Sequence, residues 1–312
     1  MHVFSRVALA GLSVLLALGS LFGGRRGLEP RTGSPTITDD HLVAADGCRL
    51  PLSTWAPAGQ PEAFVVGLHG FADFRDSLAA TGAWFADHGL AFYAYDQRGF
   101  GETASHGKWP GIQPLVLDLA DALTVLRVRH GEIPGIVLGE SMGASVALAG
   151  AGQGALSGVD ALVAVSPGVC GGLPARRVQD QGLRLAAPAL PWFAREIEQG
   201  GQPWLQPAAI QRLANDPRIL RRLDTATHPG LVELMQMASA LPKAPMPPTL
   251  VVRGELDTTI NDVAIRDLML KLGQTGVQRT YPDRHHLMLQ SQELEAILQD
   301  TLDWLVTTLR TS

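Results

Sequence analysis

Residues 134–152 restrict this chain more than any other stretch. They set Gly139-Glu140-Ser141-Met142-Gly143 between a short apolar run, Ile136-Val137-Leu138, and a row of small or apolar residues from Met142 to Ala151. The run before it has the length and composition of a buried strand, and the row after it suits a tightly packed helix. In that setting Gly-x-Ser-x-Gly lifts a serine hydroxyl onto a sharp strand-to-helix turn. Glycine is needed on both sides, because a β-carbon there would crowd the adjoining strand and helix. Ser141 then sits at a helix N-terminus, where free backbone N–H groups favour developing negative charge. It is the candidate nucleophile.

The flanking pattern predicts an α/β fold with a mostly parallel central sheet and helices on both faces. His41–Ala45 and Leu50–Trp55 flank Asp46-Gly47, a strong hairpin signal, and predict an antiparallel pair at the sheet edge. Continuous apolar runs at Ala63–Leu68, Leu90–Tyr95, Ala161–Val165 and Thr249–Arg253 read as buried strands, with a last strand at Val277–Tyr281. Helices are predicted at about 75–88, 115–129, 262–272 and 292–309 from apolar spacing and terminal signals. Strand and helix alternate with short connections, as in a sheet covered on both sides. The alternation breaks over 168–247, where only helical patterns occur, clearest at 207–223 and 229–241. An insertion there lies at the C-terminal edge of the strands, where ligands bind in such sheets. It is read as a helical lid over Ser141, with Trp192, Phe193 and Leu231 as candidate acyl-slot residues. The expected organisation is an N-terminal signal or anchor (1–26), a linker (27–38), the two parts of the core (39–167 and 248–312) and the lid between them.

A serine hydroxyl needs a base to take its proton as it attacks, and histidine suits that exchange. Of nine histidines, only His285 and His286 leave a late strand at the sheet edge where Ser141 stands. Both satisfy the chain order serine, acid, histidine, and local reasoning does not separate them. The acid is expected after the intervening strand, at Asp257, with Glu255 and Asp262 as neighbours of the same type. An oxyanion intermediate also requires two N–H donors. These are expected from the backbone of Met142, directly after the serine, and of Phe71 in His69-Gly70-Phe71. His69 is read as a structural residue of that loop.

Composition narrows the alternatives. A net charge of −5 provides no basic stripe for nucleic acid. Two cysteines, Cys48 and Cys170, indicate neither a disulfide framework nor a zinc site, and the histidines show no metal-ligand spacing. No metal or cofactor is expected. Val7–Phe22 is an uncharged apolar run between Arg6 and Arg25-Arg26, which predicts a cleaved signal or an uncleaved anchor and hence contact with a membrane.

Five motifs together resemble the α/β-hydrolases of the monoacylglycerol lipase and lysophospholipase type. They are His69-Gly70-Phe71, Asp96-Gln97-Arg98-Gly99-Phe100-Gly101, Gly139-Glu140-Ser141-Met142-Gly143, Gly254-Glu255-Leu256-Asp257 and Tyr281-Pro282-Asp283-Arg284-His285-His286-Leu287-Met288. The resemblance implies a helical lid at the place of the insertion. It also selects His286, because the family's histidine lies five residues after the tyrosine. The chain departs from the family at Arg284 and Ala144, where glycine is usual, and at Asn261, where proline is frequent. What the resemblance implies is a serine hydrolase acting on a monoacylglycerol or lysophospholipid. The alternatives are a small-ester carboxylesterase, a thioesterase or an amidase, and, outside enzymes, a binding protein on a hydrolase scaffold.

Overall fold

The hairpin announced by Asp46-Gly47 opens the sheet. In the computed structural model, which describes residues 31–170, 195–196 (as backbone only), 203–223, 225–241 and 245–310, Gly47 takes a φ of 81° between strands β2 (His41–Val43) and β3 (Arg49–Trp55). A two-residue strand β1 (Thr36–Ile37) pairs antiparallel with β2, so the sheet starts inside the stretch expected as linker. From Gly33 onward the described residues form one unit. Val7–Phe22 lies outside the described residues, and among the described residues no helix is long and apolar enough to cross a membrane.

The remaining strands of the main sheet are β4 (Ala63–Leu68), β5 (Leu90–Tyr95), β6 (Gly135–Glu140), β7 (Ala161–Val165), β10 (Thr249–Gly254) and β11 (Gly276–Tyr281). A separate two-residue pair, β8 (Arg195–Glu196) with β9 (Arg222–Leu223), falls within the insertion. The order across the main sheet is β1-β2-β3-β5-β4-β6-β7-β10-β11. Every pairing from β5 to β11 is parallel, and those among β1, β2, β3 and β5 are antiparallel.

β4, β5, β6 and β7 are buried along their whole length, which is why they read as continuous apolar runs. Alternate residues go to opposite faces. Phe64, Val66, Tyr93, Val137 and Leu162 pack under helices α2 (Ile112–His130) and α3 (Met142–Gly152). Val65, Phe92, Leu138, Val163 and Leu250 pack with Phe85 of α1 (Ala79–Asp87) and with Leu294, Ile297 and Leu298 of α7 (Leu294–Leu309).

Within the insertion, α4 (Pro207–Asn215) ends eight residues short of the predicted helix over 207–223. Asp216 precedes Pro217, a context that disfavours helical backbone, and its side chain accepts the Arg218 N–H at 2.9 Å instead. α4 packs through Ala209 and Leu213 against Phe74. α5 (Thr227–Ala240) contributes Leu234 and Ala238 to the cluster that holds α3. α3 permits that approach because seven of its eleven residues are Ala or Gly; a β-carbon on Gly152 would lie 3.1 Å from Leu241. Helix α6 (Asp262–Leu272) is capped by Asn261, whose side chain accepts the Val263 N–H at 2.7 Å. Asparagine thus serves as a helix cap where the resembling family often has proline.

Candidate active site

β4, β6, β10 and β11 run parallel, so the loops leaving their C-terminal ends meet at one edge. Ser141 follows β6 with φ 54° and ψ −112°, a combination sparsely allowed for any residue with a β-carbon. Its neighbours enforce it. The Ser141 N–H is held by the Val165 carbonyl at 2.9 Å, and its own carbonyl accepts from Ser145 and Gly168, each at 3.1 Å. A β-carbon on Gly139 would overlap the Gly143–Ala144 backbone, and one on Gly143 would overlap the Leu68 carbonyl.

His286 Nε2 lies 2.8 Å from Ser141 Oγ, and His286 Nδ1 lies 2.8 Å from Asp257 Oδ2. An ionised carboxylate can only accept, so Nδ1 carries the proton and Nε2 accepts from the serine O–H. The Asp257 side chain is only 3% exposed. Burial opposes its ionisation. The hydrogen bond and charge of His286, with the Ile260 and Thr259 amides, outweigh that and hold its carboxyl below the ordinary value. The structure therefore brings together Ser141, Asp257 and His286. His285 turns the other way and stacks on Trp204, with ring centroids 4.6 Å apart. Glu255 is exposed, and Asp262 pairs with Arg253.

The loops of acid and histidine are tied to each other through backbone. The Leu256 N–H donates to the Arg284 carbonyl at 2.9 Å, and Glu255 N–H to Tyr281 at 3.0 Å. Arg284, a departure from the family pattern, takes part here by its carbonyl, for which side-chain identity is immaterial. The preceding Asp283 takes the positive φ of 59°.

The His69-Gly70-Phe71 loop lies against the serine: a β-carbon on Gly70 would stand 3.7 Å from Ser141 Cβ. Its base is set by His69, which is fully buried. Nδ1 contacts the Gly70 carbonyl at 2.8 Å, and Nε2 accepts the Gln97 N–H at 3.0 Å. Desolvation lowers the His69 pKa to about 4, so the ring is neutral near neutral pH. Phe71 packs edge-on against Phe100, and Met142 is buried at the first turn of α3. Leu231 is partly buried on α5 against the cluster containing Met142. Trp192 and Phe193 lie outside the described residues.

Local reasoning missed several residues beside the site. Glu140, the residue before the serine, is fully buried, and its carboxylate accepts the Leu289 N–H at 2.8 Å. Gln290, Asp73 and Arg212 are joined to it by hydrogen bonds. The available signal was an acid closing an otherwise apolar strand, Gly-Ile-Val-Leu-Gly-Glu, with no solvent face to put it on. Among the described residues no group of His, Cys, Asp and Glu could hold a metal ion.

Comparison with known proteins agrees with this architecture. Over 281 residues the chain is 26% identical to a monoacylglycerol lipase of Mycolicibacterium smegmatis, covering 88% of this chain and 98% of that one. A soluble variant of monoglyceride lipase from Saccharomyces cerevisiae, solved with a substrate analogue, superposes with a TM-score of 0.70 at 18% identity, over 84% of this chain and 92% of that one. The monoacylglycerol lipase of Paleococcus ferrophilus gives a TM-score of 0.68 at 18% identity, over 83% and 99%. Residues 59–293 match the family described as serine aminopeptidase, S33. The chain belongs to that family: it is a serine hydrolase with the α/β-hydrolase fold.

Proposed function

We propose that this protein hydrolyses carboxylic esters of single-acyl lipids, a monoacylglycerol or lysophospholipid, through an acyl-enzyme on Ser141. His286 takes the serine proton as Oγ attacks the ester carbonyl and returns it to the departing alcohol. Asp257 keeps the imidazole in the required tautomer and stabilises the imidazolium without gaining a proton itself. The backbone N–H groups of Phe71 and Met142 hold the oxyanion. Water, activated by the same imidazole, then releases the fatty acid. The observation that carries this reading is the pair of 2.8 Å hydrogen bonds linking Ser141, His286 and Asp257. The lipid substrate is supported by the activity for which the relatives are named.

The family's description favours a second reading, cleavage of an amide, since the same three side chains do not choose the leaving group. The test has two arms. Labelling by a serine-directed phosphonate should modify Ser141, and His286→Ala should abolish it. Rates on glycerol esters of rising chain length, beside acetyl esters and aminoacyl anilides, then decide the substrate. Fastest turnover of acetyl esters or anilides would refute the lipid assignment and leave the hydrolase intact. The apolar run Val7–Phe22 enters the proposal as a membrane anchor or export signal. Recovery of the uncleaved chain wholly in the soluble fraction would contradict it.

A further inference from the structure

The buried acid before the serine begins a chain of contacts that ends on the insertion. Glu140 Oε1 accepts the Leu289 N–H at 2.8 Å, and Oε2 lies 3.1 Å from Gln290 Nε2. The same Gln290 amide nitrogen reaches Asp73 Oδ2 at 3.2 Å, while Gln290 Oε1 accepts from Arg212 Nη2 at 2.6 Å. Arg212 closes the ring with its other nitrogen on Asp73 Oδ1. Glu140, Asp73 and Gln290 are all less than 5% exposed.

Each member belongs to a different working part. Glu140 adjoins Ser141, Asp73 stands two residues after Phe71, and Gln290 four residues after His286. Arg212 is on α4 of the insertion. Backbone contacts follow the same route: Gln206 N–H to the Gln290 carbonyl at 2.9 Å, Gln292 N–H to Trp204 at 3.1 Å, and Leu220 N–H to Ala72 at 2.9 Å. Structural adhesion alone would be met by apolar packing such as Phe74 with Leu213. Burying two carboxylates costs free energy that hydrogen bonds and the Arg212 charge must offset, so their place beside the serine points to a use beyond adhesion. Burial indeed pushes the Glu140 carboxyl above its ordinary value, against the Leu289 and Gln290 hydrogen bonds.

We propose that Glu140, Gln290 and Arg212 are positioning residues that set the distance between Ser141 and His286 and make it depend on the seating of α4. The proposal rests on the hydrolase reading above. Glu140 fixes the Leu289–Gln290 turn relative to the serine elbow, so the imidazole is delivered at hydrogen-bond distance. Arg212 holds the Gln290 amide by its oxygen, which leaves the NH₂ group to face both carboxylates. A shift of α4 therefore reaches the base through two hydrogen bonds.

The test is a double-substitution cycle on the full chain with a short water-soluble ester and phosphonate labelling. Glu140→Gln keeps the acceptor for Leu289 but sets two NH₂ groups face to face. Arg212→Met removes the grip on Gln290. Each alone should lower kcat about 10- to 100-fold with KM within about threefold, since a 1 Å misplacement is enough for such a loss. Together they should lose clearly less than the product of the single losses, because one relay is broken either way. Arg212→Lys, which has no planar fork, should recover only part of the rate. If the losses multiply, or if melting temperatures fall while kcat stays at the wild-type value, the relay has no positioning role. Should Glu140→Gln not fold, Gln290→Met with Arg212→Met completes the same cycle. Wild-type labelling of Ser141 is read separately, so failure of the relay leaves the hydrolase reading standing, and absence of labelling defeats both.

Discussion

The α-carbon of Gly143 lies directly against the carbonyl of Leu68, so close that a β-carbon would overlap both that group and the His69 carbonyl. Leu68 ends β4 and leads into the loop proposed to hold the oxyanion; Gly143 is in the first turn after the serine. Their contact sets the serine beside that loop. Gly143→Ala should destabilise the fold by about 1–3 kcal/mol through overpacking and cut esterase activity by a larger factor than stability alone explains. Urea unfolding beside ester turnover measures both.

Asp257 is the second test. Asp257→Asn preserves shape but offers His286 an amide in place of an acceptor-only carboxylate, allowing the wrong tautomer. The expected loss in kcat is about 10³- to 10⁴-fold, with a circular dichroism spectrum like that of the wild type. A loss under tenfold would remove Asp257 from its proposed role.

The adjacent histidines make an internal control. His286→Ala should abolish turnover and phosphonate labelling. His285→Ala removes a stack on Trp204 worth about 0.5–1.5 kcal/mol and should leave kcat within about tenfold. Reversal of the two outcomes would transfer the base to His285.

Acid should loosen the His69-Gly70-Phe71 loop before it affects Asp257. His69 titrates near 4 in the fold and near 6.5 when unfolded, so the unfolded chain binds the extra proton first. Stability is then full above about pH 6.5 and falls as pH drops toward 4, by about 3 kcal/mol in total. Below that the two states are protonated alike and this contribution stays lost. Asp257, with its lowered value, keeps its contribution until pH falls below the ordinary carboxylate range. Unfolding free energies between pH 7 and 4.5 should slope less in His69→Gln than in the wild type, whatever its absolute stability.

The elbow, the strands at Leu90–Tyr95 and Ala161–Val165 and the helix at Asp262–Leu272 were legible along the chain to the residue. Each depends on local causes: an apolar run long enough for one strand, a glycine where a β-carbon cannot fit, an asparagine cap. The serine–acid–histidine order was legible because parallel strands send all their C-terminal loops to one edge. What the chain left open was decided by contacts between residues 78 to 150 positions apart. His285 and His286 are chemically identical, and the family resemblance separated them. The physical difference is that one ring finds Ser141 and the other Trp204. Likewise nothing near Glu140 in sequence announces Gln290 or Arg212. A buried charge acquires its meaning from the partners that folding places around it, and one-dimensional spacing carries no record of them.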